Sequence, residues 1–132
     1  MRSKTRQRGF TLLEMVIVIV IMGVLLAIAL PMYNQAVLHA KEATFKKNLT
    51  TLNEVVQRYS EDKHQAPQQL DDLVQAGYLK ELPNDITGSN TTWQTDQETD
   101  PEKAWNPDQM GIASVHSGSE QQGSDGRPYS QW

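Results

Sequence analysis

Cysteine is absent from the 132 residues, which excludes disulfides and thiolate metal sites. Its absence suits an oxidising compartment, where stray thiols would mispair. With no covalent staple, a small soluble domain must rely on packing or on something it binds. Basic residues are scarce beyond the first eight positions. Arg2, Lys4, Arg6 and Arg8 supply four of the 12 Lys and Arg, leaving eight basic against 16 acidic side chains downstream. That acidic remainder offers no basic face for phosphate, so no nucleic-acid partner is expected. Glycine-rich phosphate loops and a discernible nucleophile–base pair are also missing, and the chain does not read as an enzyme. His39, His64 and His116 are widely spaced and lack metal-ligand patterning. Asp71 and Asp72 read as a charged helix face, and no internal repeat is visible.

What the chain does have is concentrated. Only 38% of residues are hydrophobic and mean hydropathy is -0.56, yet Phe10 to Leu30 is a run of 21 residues broken only by Thr11 and Glu14. Gly23 interrupts its helix propensity. As a helix the run is roughly 31 Å long at ~1.5 Å per residue, about one hydrocarbon thickness. The cations ahead of it place the N-terminus in the cytoplasm and the remainder outside the inner membrane. Glu14 is out of place in such a span. A carboxylate at mid-span costs about 2.5 to 3.5 kcal/mol, and less near an end.

Pro31 follows, and the pattern beyond it still reads helical. Val37, Ala40, Phe45, Leu49, Leu52, Val56 and Tyr59 recur mostly at steps of three and four and form one apolar stripe. Lys41, Glu42, Lys46, Lys47, Asn53, Glu54 and Gln57 fall on the other face. The spacing predicts one helix from about Thr11 to about Tyr59, bent or loosened near Pro31 or Gly23. A short second helix is expected over 68–76, with Gly77 capping it and Pro83 ending the segment. From Asn84 onward polar residues dominate. The bursts "TTWQ", "GIASVHS" and "PYSQW" predict two or three short strands. The loops 96–109 and 117–127 are long enough to need an anchor, either packed aromatics or a bound ion. Trp93, Trp105, Tyr129 and Trp132 are the expected core of this small domain. The fold class is therefore α+β: one long N-terminal helix, membrane-spanning then amphipathic, packed on a small domain with a short helix and a small antiparallel sheet.

Three readings fit the N-terminus. It is a secretory signal peptide cleaved near "AIA" at Ala27 to Ala29, a plain single-pass anchor, or a specialised processing signal. The first two leave Glu14 unexplained. "RGFTLLE", with its basic leader and the apolar run behind it, resembles the class III signal peptide of type IV pilins and of type II secretion pseudopilins. That resemblance implies a pilin-like fold and cleavage by a prepilin peptidase between Gly9 and Phe10, with N-methylation of Phe10. It divides the chain into a leader (1–9), a membrane and filament-core helix (10–30), the amphipathic half of that helix (31–63) and a small periplasmic domain (64–132). Cleavage would create an amine at Phe10 one helical turn from Glu14. The family role of this glutamate is to pair with the amine of a neighbouring subunit and set register, although pairing within one chain is equally open. Pro31 falls where the family helix often carries a proline.

The segment "APQQLDDLVQAGYLKELPND" and the closing "VHSGSEQQGSDGRPYSQW" are similar to the major pseudopilins of type II secretion. The lack of a cysteine pair and the short post-helix region separate the chain from type IV pilins proper. "NDIT" departs from the family's Asp-Pro at that turn. The resemblance implies a structural subunit of a periplasmic pseudopilus that drives protein export. Its implied partners are copies of itself, minor pseudopilins, the prepilin peptidase and the inner-membrane secretion platform. It also implies calcium in the C-terminal loop, with Ser117, Ser119, Asp125 and nearby carbonyls as candidate ligands, since calcium takes six to eight oxygens. The alternatives are a pilin or minor pilin subunit, or a single-pass membrane-anchored periplasmic binding module.

Overall fold

The computed structural model describes residues 9–132; the cationic head at Arg2, Lys4, Arg6 and Arg8 lies outside them. Thr11 starts the first helix. Its Oγ1 accepts the Glu14 amide at 3.2 Å and its carbonyl accepts the Met15 amide, so a hydroxyl caps one of the orphan donors at the helix start. Helix α1 then runs Leu12–Lys63, 52 residues, with Pro31 inside it. The helix continues through Gly23 and Pro31. It also outlasts the expected end at Tyr59 by four residues. His64 closes it in the left-handed region, at φ 55°, a conformation that commonly ends helices.

The chain forms two compact units, one ending at Val37 and one covering Leu38–Trp132. In the first, the large hydrophobic side chains from Phe10 to Tyr33 are all exposed. In the second, the stripe on α1 becomes a core. Phe45, Leu52, Val55 and Val56 are buried, with Leu49 and Tyr59 packed against them. Two positions depart from the predicted faces. Ala40 is exposed, while Glu42, assigned to the polar face, is only 4% exposed.

Helix α2 is shorter than predicted, Asp71–Gln75. Asp72 explains its start: Oδ2 accepts the amides of Gln68 and Gln69 at 2.9 and 3.0 Å. Asp72 is thus a turn-forming acceptor rather than a merely solvated charge. Leu73 is fully buried beneath it. Gly77, at φ 82°, donates to the Val74 carbonyl and closes the helix, as its position predicted.

Strands β1 (Trp93–Gln97) and β2 (Ile112–Ser117) pair antiparallel, with Trp93 opposite Ser117 and a register irregularity at Asp96/Gln97. Trp93, Ile112 and Val115 point into the core. The third burst, "PYSQW", is not a strand. Pro128 fixes an extended entry and Tyr129–Gln131 form a 3-10 turn. That turn brings Tyr129 and Trp132 against Phe45, with ring centroids 5.6 and 6.0 Å away. Phe45 also stacks on Trp93 at 5.9 Å. Three of the four expected aromatics therefore do build the core. Trp105 does not: it is 49% exposed at the edge of a groove of about 340 Å³ that Asn53, Gln57, Lys103 and Met110 also line.

Candidate functional site

The N-terminal site is built by the start of α1. Gly9 has open space around it, Phe10 is 76% exposed, and Thr11 caps the helix. Glu14 stands exposed in the first helical turn, where the positive end of the helix dipole favours an anion. Behind it α1 carries a stretch long and apolar enough to cross a membrane, none of it buried within the chain. Residues Gly9, Phe10 and Glu14 thus lie together on one accessible segment. Pro31 sits farther along the helix, between exposed Leu30 and Met32. The chemistry available is a carboxylate at the head of an apolar rod, matched to an amine that cleavage before Phe10 would create.

The second site is the C-terminal loop, where each predicted residue already has partners within the chain. Ser117 Oγ donates to Asp85 Oδ2 at 2.7 Å and accepts the Ser119 amide at 3.0 Å. Asp85, buried, also accepts from Thr92 Oγ1 at 2.8 Å and from the Ile86 amide at 2.6 Å. Ser119 Oγ faces the Gln121 amide at 3.4 Å. Asp125 is committed elsewhere. Its Oδ1 accepts the Arg127 amide at 3.0 Å, and its Oδ2 accepts Arg127 Nε and Nη2 at 2.9 and 2.7 Å. The amide and guanidinium of Arg127 hold the Asp125 carboxyl below the usual range. Among the described residues no group of three or more His, Cys, Asp or Glu gathers as a metal cage. Of the predicted side chains, the one carboxylate is already paired with arginine and the two hydroxyls already have hydrogen-bond partners, so these side chains alone fall short of an ion that takes six to eight oxygens.

The group that does hold this loop is Glu42. Its Oε1 accepts the Ser124 amide at 2.7 Å and the Tyr129 hydroxyl at 3.0 Å, and its Oε2 accepts Ser124 Oγ at 2.6 Å. His39 Nδ1 stands 3.8 Å from Oε2. The Ser124 hydroxyl is the largest influence holding the Glu42 carboxyl below its ordinary range, against the opposing effect of burial. Sequence reasoning missed both Glu42 and Asp85. Each bonds to residues more than thirty positions away, which helical periodicity cannot register.

Residues 4–30 match the prokaryotic N-terminal methylation motif. With the long helix and small sheet domain, that motif defines a pilin-like protein. The chain is 35% identical to the type II secretion system core protein G of Escherichia coli K12, over 68% of this chain and 73% of that one. The Aeromonas hydrophila core protein G is 32% identical, over 66% and 72%. The chain belongs to the family of type II secretion system core protein G. A similarity to the type IV major pilin protein PilA of Myxococcus xanthus is higher, 43%, but covers only 39% of this chain and 23% of the pilin. No solved structure gives a significant match.

Proposed function

We propose that the chain is a structural subunit of the type II secretion pseudopilus. The observation that carries this is the exposed head of α1, where Gly9, Phe10 and Glu14 stand in a processing motif ahead of an unpartnered apolar helix. Prepilin peptidase cuts between Gly9 and Phe10 and methylates Phe10. The apolar helix then holds the mature subunit in the inner membrane, with the N-terminus cytoplasmic and the domain periplasmic. On extraction into a filament it leaves lipid, and its apolar faces pack against copies of themselves and minor pseudopilins on the secretion platform. Burial of apolar area drives that packing once water or polar surface is the alternative. Glu14 supplies register, because an unpaired carboxylate among apolar helices is costly until it meets an amine. The core protein G relatives align with the chain over about two thirds of its length, which supports this reading over the pilin alternative. Intact mass spectrometry of the mature chain tests it. The expected product begins with N-methylated Phe10 in a strain with prepilin peptidase and keeps the leader in a strain without it. A leader retained in both strains would overturn the proposal.

A further inference from the structure

The C-terminal loop poses a physical problem independent of filament assembly. Residues 117–127 form a long polar connection, and such loops need an anchor. The structure supplies three from the chain's own side chains. Asp85 grips the loop's start at Ser117, Glu42 grips its middle at Ser124, and the Asp125–Arg127 pair closes the turn around Gly126. Beyond the turn, Tyr129 returns to Glu42 and packs beside Trp132 on Phe45.

We propose that Glu42 is the latch of the C-terminal loop, a buried carboxylate that clamps Ser124 and Tyr129 and closes the domain without a divalent cation. Three donors within 3.0 Å surround this carboxylate, and hydrogen bonds to an ionised acceptor are the strong kind. The demand is specific to charge. Both oxygens receive donors, so a glutamine would turn its NH2 group toward a donor on at least one side. The groups facing Glu42 are few. His39 approaches from its own helix, with Lys46 one turn on and held over the Trp132 ring at 4.2 Å. Tyr129 approaches from the C-terminal segment, with Asp125 and Arg127 just beyond Ser124. Asp125, the predicted carboxylate ligand of the loop, is already paired with the guanidinium of Arg127 at 2.7 Å.

Because the Glu42 carboxyl is held below its ordinary range, the latch is fully present above about pH 4.3, the unfolded value. It is lost as pH falls through the lower folded value. The closure is therefore acid-sensitive.

The test uses the full mature chain in detergent, with unfolding of the domain followed by tryptophan fluorescence, to which the core residues Trp93 and Trp132 contribute along with the exposed Trp105. The expected midpoint is the same in EDTA and in millimolar calcium. A rise of about 5 °C or more in calcium, reversed by EDTA, would overturn the proposal. Glu42→Gln is expected to lower the midpoint by about 5–10 °C and to flatten its dependence on pH below about 4.3. An unchanged midpoint, or an unchanged acid limb, would also overturn it. Should Glu42→Gln fail to accumulate, Ser124→Ala removes one hydroxyl from an exposed residue and carries the same expectation with a smaller drop. A Ser124→Ala protein indistinguishable from the parent in midpoint and acid limb would count against the latch.

Discussion

Asn53 on α1 binds both backbone groups of Val115 on β2. Its Nδ2 donates to the Val115 carbonyl at 2.9 Å, and its Oδ1 accepts the Val115 amide at 2.9 Å. The carboxamide thus copies the pairing of a neighbouring strand. A two-stranded sheet is marginal by itself; here one edge is satisfied by a helix side chain. Trp93 does similar work from β1, donating its indole N–H to the Pro83 carbonyl at 2.7 Å.

Asn53→Ala leaves two backbone groups of Val115 without a partner. Each unpaired buried group costs roughly 1–3 kcal/mol, so the melting midpoint is expected to fall by at least about 5 °C. Asn53→Asp keeps an acceptor for the amide but sets a carboxylate against the carbonyl, and is expected to be no better than alanine. Amide exchange at Val115, read by NMR, locates the damage: its protection is expected to fall first.

Phe45, Leu52 and Val56 were legible as core because burial along a helix follows a period of 3.6. Glu42 and Asn53 were not. Periodicity assigns a residue to a face but says nothing of what comes to cover it. Ser124 and Val115 reach these side chains from 82 and 62 positions away. The same limit explains "PYSQW", where apolar residues suggested a strand but Pro128 and the fit of Trp132 on Phe45 make a tight turn. The head of α1 was the most legible part, since its chemistry is entirely local: a cap, a carboxylate and an apolar run.

Gly123 lies under the Trp132 ring. A Cβ there would collide with two atoms of that indole and come within 3.1 Å of the Tyr129 ring edge. Gly123→Ala is therefore expected to push Trp132 off Phe45 and to cost about 1–3 kcal/mol through overpacking. The check is a red shift in tryptophan emission with a lower melting midpoint.

Alkaline pH is expected to weaken the domain through two tyrosines. Tyr78 donates to Asp62 Oδ2 at 2.8 Å, and this bond first of all raises its pKa. Tyr129 is raised chiefly by burial, then by Glu42. A group raised in the folded state contributes stability below its unfolded value of about 10, and that contribution is lost as pH rises through the folded value. The melting midpoint of the parent is expected to fall above about pH 10. Tyr129→Phe is expected to lower the midpoint at neutral pH, by removing a donor from Glu42, and to shallow the alkaline decline.

Glu14 carries the sharpest prediction about assembly. It is exposed at the head of α1, and its amide is already engaged by Thr11, so the side chain is not needed to start the helix. Glu14→Ala is expected to insert and lose its leader normally, because Gly9 and Phe10 are untouched. On the proposed register role, in which Glu14 meets a neighbouring subunit's amine, assembly is expected to drop at least tenfold, the equivalent of about 1.4 kcal/mol of lost pairing at each added subunit. Glu14→Gln, which keeps the shape and removes the charge, should be nearly as defective. Cell fractionation measures insertion, and sheared filaments measure assembly. Normal assembly by the cleaved alanine variant would show that Glu14 does not set register.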